Sequence, residues 1–148
     1  LPNEALLQSV KSIGLPSGLE LQAGDVSSAL AEADLAITKS GTITMECAAF
    51  GLPAVVFYKT SWPTYFIGRQ IVSVKYLAMP NLMAGEEIYP EFVQDAATAE
   101  NISRAALALL EDESRRAVVK AKLAGVVASL GKSGAALRAA DAIVSLLP

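Results

Sequence analysis

The sequence predicts an α/β protein: a doubly wound parallel sheet followed by a helical C-terminal tail, within one domain spanning residues 1–148. Three observations predict it. Short apolar runs at residues 19–22 (LELQ), 35–38 (LAIT) and 54–58 (AVVFY) alternate with helix-spaced stretches. Gly and Pro punctuate the joins, and the final third carries apolar residues at spacings of three and four. Strands alternating with helices at such short intervals imply βαβ crossovers, hence a parallel sheet whose strands are apolar on both faces because helices cover both sides.

The elements follow in order. NEALLQSVKS has the spacing of an amphipathic helix with Asn3 as N-cap, and GLPSG then turns the chain into the LELQ strand. GDVSSALAEAD offers Asp25 or Ser27 as caps for a short helix that leads into LAIT. The next helix spans residues 42–50, closed by Gly51 at the position after its C-cap with Pro53 just beyond, and AVVFY is the third strand. SWPTYFIGRQIVSV is helical in spacing. YLAMPNLMAGEEIYPEFVQ reads as loop, too irregular to be all helix or all strand. Thr98 caps the first of three closing helices, and the second runs to Gly131.

Composition bounds the function. A chain of 148 residues buries well over half its unfolded surface, and 53% hydrophobic residues supply a large core. No apolar run approaches the roughly 18 to 20 residues of a membrane-spanning helix. The net charge of −3 and the scatter of 12 Lys and Arg argue against a nucleic-acid partner, since phosphate backbones are held by clustered cations. The chain has no histidine, which excludes a Ser-His-Asp triad, a His-paired thiolate and the common zinc sites, so no metal is expected. The single cysteine, Cys47, lies in an apolar helix pattern, where a buried thiol is favoured over a nucleophile. The opening LPNEALLQSV lacks the basic and continuous apolar regions of a signal peptide and reads as the interior of a longer protein, with this domain one piece of it.

Two stretches carry polar residues suited to chemistry. In TKSGTITMECAAFG the LAIT strand delivers the chain to the carboxyl edge of the sheet, where ligands of open α/β folds bind. A helix N-terminus there offers unpaired N–H groups and a positive dipole end. Gly41 lets the backbone approach, and Ser40, Thr42 and Thr44 add hydroxyls, together suiting a phosphate or diphosphate. Glu46, four residues after Thr42 on the same helix face, suits two vicinal hydroxyls such as those of a ribose. The plainer alternative is that Ser40 or Thr42 caps the helix and Glu46 is solvated. In MPNLMAGEEIYPEFVQ, Asn81, Glu91 and Gln94 interleave with apolar residues, either as a binding loop or as a surface connection in which Asn81 sets an Asx-turn and Glu91 caps the next helix. SWPTYFIGRQIV places Trp62, Tyr65, Phe66 and Ile67 near Lys59 and Arg69. Aromatics at this spacing favour a core-facing helix, with contact at a membrane surface as the alternative.

Taken together, SGTITMECAAFGLPAVVFYKTSWPTYFIGRQIV and VKYLAMPNLMAGEEIYPEFVQDAATAENI resemble the lipid-A-disaccharide synthase family of bacterial glycosyltransferases. The first is similar to that family's S-G-T-x-T-x-E helix, and the second, more specific, to its P-N-x-x-A-G-x-x-x-x-P-E-x-x-Q segment, in the same order and at similar spacing. The resemblance covers residues 34–101 well and the flanks in helical character.

It implies the Rossmann-like C-terminal half of a GT-B fold, which binds the UDP-diacylglucosamine donor, while an N-terminal acceptor domain of the same chain supplies the catalytic base. The reaction implied is transfer of diacylglucosamine from UDP to diacylglucosamine 1-phosphate with inversion, forming a β-1,6 link. UDP-sugar is then a substrate and no cofactor is implied. Ser40, Gly41, Thr42 and Thr44 would hold the diphosphate and Glu46 the ribose, with Asn81, Ala84, Gly85, Glu91 and Gln94 lining the nucleotide-sugar site. The chain departs from the family pattern at Glu86 and Glu87, where a basic residue is expected, and at Lys39, which would take over a phosphate contact. The implied location is cytoplasmic, peripheral at the inner face of the inner membrane. Two other functions fit the residues: another UDP-sugar GT-B protein, such as a UDP-N-acetylglucosamine transferase or epimerase, and a non-catalytic Rossmann-like interaction domain.

Overall fold

The structure is a computed structural model and describes residues 4–71, 74–131 and 134–146. Its sheet has three parallel strands in the order β1 (Ala36–Lys39), β2 (Ala54–Tyr58), β3 (Glu91–Val93). Ala36 stands opposite Ala54 and Lys39 opposite Phe57, while Val56 pairs with Glu91 and Tyr58 with Val93. The predicted α/β fold is therefore present, but one of the three expected strands is absent and an unexpected one completes the sheet. Residues 19–22 form no strand: the stretch begins in a turn, with Leu19 N donating to Pro16 O, and Leu19 is half exposed. An apolar tetrapeptide without a neighbouring ladder has nothing to satisfy its backbone groups and stays irregular.

The third strand, β3, lies inside the segment expected to be loop. That segment contains α5 (Met79–Ala84), β3 and a 3-10 turn at Gln94–Ala96. Burial on both faces holds for β2, whose Ala54, Val55 and Val56 are buried, but β1 is an edge strand of alternating exposure with Ile37 facing solvent.

The helices start and stop where local chemistry directs. After α1 (Glu4–Lys11), α2 (Val26–Glu32) begins at Asp25, whose carboxylate accepts from Ser28 N and Ser28 Oγ; Asn3 lies outside the described residues. α3 (Ile43–Ala49) ends in a Schellman motif: Gly51 N donates to Ala48 O and Leu52 N to Cys47 O, both at 2.9 Å. Gly51 has φ 63, the left-handed conformation that this closure requires and a side chain resists. α4 (Trp62–Ile71) follows β2. Thr98 caps α6 (Ala99–Glu111) by accepting from Asn101 N, and Asp112 caps α7 (Glu113–Ser129) through Arg115 N. α8 (Ala135–Val144) is last, with Leu137, Ile143 and Val144 exposed. No helix among the described residues is long and apolar enough to cross a membrane.

The core lies where α3 packs on β1, β2 and α7, and α6 on β2 and α7. Leu109 of α6 and Leu123 of α7 are wholly buried there with Val55, Val56, Cys47 and Tyr89. Each such Leu contributes about 1.5 to 3 kcal/mol of transfer free energy. Tyr89 keeps its hydroxyl satisfied by donating to Leu52 O at 2.9 Å, so the Schellman turn of α3 is bound to the segment that enters β3.

Cys47 has no exposed surface, and burial pushes its thiol up to about 11 from an ordinary value of 9.0. Because the folded value is the higher one, the neutral thiol favours the folded state below pH 9, and that contribution is lost as pH rises toward 11. Urea unfolding at pH 8 and pH 10.5 should show the parent losing about 2 kcal/mol relative to Cys47→Ala across that interval. An identical pH dependence in the two proteins would remove Cys47 as the group responsible.

Candidate functional site

The first polar motif sits where β1 leaves the sheet. Ser40 N donates to Phe57 O at 3.0 Å, the last ladder bond of that edge, and the chain then turns into α3. Gly41, Thr42 and Glu46 are exposed, and a Cβ built on Gly41 would meet nothing within 4 Å, so the approach to this turn is open. Thr42 occupies the N-cap position without making a side-chain cap bond. The Glu46 carboxylate has no hydrogen-bond or ion-pair partner among the described residues. The other two hydroxyls are engaged. Ser40 Oγ donates to Leu77 O at 2.7 Å, and Thr44, fully covered, donates to Gly41 O at 2.7 Å and accepts from Met79 N at 3.4 Å. Lys39 is exposed beside this turn, its Nζ 5.4 Å from the centre of the Tyr58 ring.

The second motif is drawn against the first by the same backbone, residues 77–79. Asn81 is wholly buried and uses its amide completely: Oδ1 accepts from Ile88 N and Tyr89 N at 2.9 Å each, and Nδ2 donates to Tyr89 O at 2.8 Å and Glu91 Oε1 at 2.7 Å. Glu91 also accepts from Leu77 N at 2.7 Å and Ala78 N at 2.9 Å. It thereby caps α5, whose own N-cap, Ala78, has no side chain for the task. This replaces both parts of the surface-connection reading: Asn81 spans a loop of several residues instead of an Asx-turn, and Glu91 caps the helix before it instead of the one after.

Gln94 is nearly buried, accepting from Thr60 N at 2.8 Å and donating to Thr60 O at 3.1 Å. Ala84 and Gly85 lie exposed at the far end of α5, where Gly85 is the C-cap with φ 70. Glu86 pairs with Lys122 of α7 at 2.6 Å across an exposed surface, and Glu87 is exposed.

Two cavities open beside this scaffold. The larger, about 480 Å³, lies beyond the carboxyl ends of β2 and β3, with Tyr58, Tyr65, Arg69, Lys75, Leu77 and Glu91 in its wall. The smaller, about 350 Å³, is lined by Lys59, Thr60, Trp62, Gln94 and Asp95. Of the residues proposed from sequence, Glu91 lines the larger cavity and Gln94 the smaller. Lys39 and Ser40 meet the wall of the larger at Tyr58 and Leu77, and Gly41, Thr42 and Glu46 continue from there as an open face.

Tyr58, Arg69 and Lys75 were not singled out as binding residues, yet each left a signal. Tyr58 ends a strand on the edge where ligands bind, and the two cations flank an otherwise apolar segment. The stretch SWPTYFIGRQIV was expected to face the core, but α4 leaves Trp62, Phe66 and Ile67 each more than half exposed. Its aromatic spacing serves packing along the helix itself, Trp62 meeting Tyr65 edge-on at 5.8 Å between centroids.

Most of the chain matches known proteins. A model of the lipid-A-disaccharide synthetase family matches residues 4–143. The chain belongs to that family. It is 39% identical over 132 residues to the lipid-A-disaccharide synthase of Syntrophus aciditrophicus, covering 89% of this chain and 34% of that one. The enzyme of the same name from Solibacter usitatus is 42% identical over 125 residues, with 84% and 33% covered. That of Alkalilimnicola ehrlichii is 36% identical over 142 residues, with 96% and 36% covered. The chain thus spans about a third of the length of these lipid-A-disaccharide synthases.

The Asn81 node should dominate local stability. Asn81→Ala removes the partner of Ile88 N, Tyr89 N and Tyr89 O and one of the donors to Glu91, and should cost about 3 kcal/mol in urea unfolding. Asn81→Asp should be at least as damaging at pH 7, because it sets a second carboxylate against Glu91, and the loss should shrink as pH falls toward 5 and the introduced carboxylate is protonated. A loss independent of pH would show that the two groups do not meet.

Proposed function

We propose that this chain is the donor-nucleotide half of a lipid-A-disaccharide synthase. It binds UDP-diacylglucosamine, and the sugar passes to diacylglucosamine 1-phosphate with inversion, forming the β-1,6 link and releasing UDP. The observation that carries the reading is the family's S-G-T-x-T-x-E turn lying open at the carboxyl edge of a parallel sheet, in a chain matching the family from residue 4 to residue 143.

In that reaction the acceptor hydroxyl oxygen attacks the anomeric carbon. The bond from that carbon to the diphosphate breaks, and its electron pair leaves with UDP. Charge grows on the departing diphosphate, so the donor half needs fixed donors and positive potential more than it needs a base. The open turn at Gly41 and Thr42 supplies backbone and hydroxyl donors, Lys39 a nearby cation, and Glu46 a free carboxylate for the ribose hydroxyls. Arg69 and Lys75 at the larger cavity add positive charge beside it.

Both oxygens of Glu91 are occupied by backbone N–H groups, which suits it to hold the scaffold and not to take a proton from an acceptor. The proton therefore goes to a base in an N-terminal acceptor domain, and the donor half is inactive alone. The acylated substrates place the enzyme at the cytoplasmic face of the inner membrane, with the exposed aromatics of α4 available for peripheral contact. Of the two acidic residues standing where the family pattern has a basic one, Glu86 pairs with Lys122 of α7, and Glu87 is exposed.

Calorimetric titration of the full-length protein with UDP should give saturable binding, weakened about tenfold in Glu46→Ala by loss of the ribose contacts. Binding unchanged in Glu46→Ala would move the ribose elsewhere, and absence of binding at millimolar UDP would sink the transferase reading.

A further inference from the structure

Backbone pairing between β2 and β3 stops at Tyr58 opposite Val93. Past that point the Gln94 side chain continues it, because Oε1 accepts from Thr60 N and Nε2 donates to Thr60 O. One amide satisfies both backbone groups of a loop residue, as a neighbouring strand would. The backbone of Gln94 has φ 50, in the left-handed region that a long side chain seldom occupies. Among the described residues the other non-glycine residue at positive φ is Asp25, an exposed helix cap. Conformations of this kind persist where the surroundings hold them in place, and they gather at ligand sites.

Thr60 lines both cavities. The chain then enters α4, where Tyr65 N donates to Ser61 O at 2.9 Å, and Tyr65 and Arg69 form a wall of the larger cavity. With Trp62, Phe66 and Ile67 turned to solvent, α4 has little buried apolar surface of its own to fix its place. We infer that Gln94 is a positioning residue of the donor site: by clamping Thr60 it sets where α4 stands, and so the width of the cavity that receives the nucleotide-sugar. The inference rests on the donor-half reading and changes the part Gln94 plays in it, from contacting the ligand to supporting the wall.

Three variants of the full-length chain test this. Gln94→Asn keeps a residue that tolerates left-handed backbone but is one methylene too short to reach Thr60, and Gln94→Gly removes the side chain without steric strain at that φ. Gln94→Glu keeps the reach and the acceptor for Thr60 N but cannot donate to Thr60 O.

The Asn and Gly variants should raise the UDP dissociation constant and the donor KM about tenfold or more, a larger effect than on kcat, with the Glu variant between them and the parent. Without ligand, amide exchange at residues 59–65 should quicken in the Asn and Gly variants while the core and the thermal midpoint hold. Unchanged UDP affinity in those two variants, in a parent that binds UDP, overturns the positioning role. Exchange that rises across the whole domain with a fallen thermal midpoint overturns it too, in favour of a general structural role. A parent that does not bind UDP overturns the donor-half reading and this inference with it, and is told apart because the parent itself is silent.

Discussion

The buried amide of Asn81 is the interaction on which the rest of the site depends. A loop of several residues turns from α5 into β3 with its backbone donors facing the interior, where an unpaired N–H costs as much as the best single contact returns. Asn81 answers two of those donors with one oxygen and passes its own two hydrogens to Tyr89 O and Glu91. Glu91, aligned in turn, answers Leu77 N and Ala78 N. Backbone 77–79 is thereby held where Ser40 and Thr44 can bond to it, so two motifs some forty residues apart become one structure. Among the described residues no buried side-chain polar atom lacks a partner, which is the condition under which such a network rigidifies instead of destabilising.

That arrangement divides the polar residues into two kinds. Ser40, Thr44, Asn81, Glu91 and Gln94 spend their hydrogen bonds on the protein's own backbone and keep the carboxyl edge of the sheet in shape. Gly41, Thr42 and Glu46 stay open to solvent, and Lys39 stands beside them. The first set fixes the backbone that carries the second, so the open groups are held in place by bonds they do not themselves make.

The apolar surface is uneven in the same way. The core between α3, α6, α7 and β2 is closed, with Leu109, Leu123, Val55 and Tyr89 fully covered. By contrast α4 and α8 carry large apolar side chains into solvent. In a chain that spans about a third of the length of its relatives, these two faces are among those that the fold itself does not bury.

The sequence by itself determined what depends on near neighbours. β2, the run of α3 from Thr42 to the Schellman turn at Gly51, and the caps at Asp25 and Thr98 follow from short-range sterics and hydrogen bonding, and each was legible. So was the open polar turn at Gly41 and Thr42. Residues 19–22 and β3 went the other way, because three or four residues become a strand only when a partner lies alongside, and nothing local says whether one does. The same limit governed the site. A sequence names Asn81, Glu91 and Gln94 as polar residues in an apolar segment, but their hydrogen bonds reach 8 to 34 residues away, to Tyr89, Leu77 and Thr60. Whether such a side chain meets a ligand or holds the backbone around one is decided by burial and distance in three dimensions, and those belong to the tertiary structure alone.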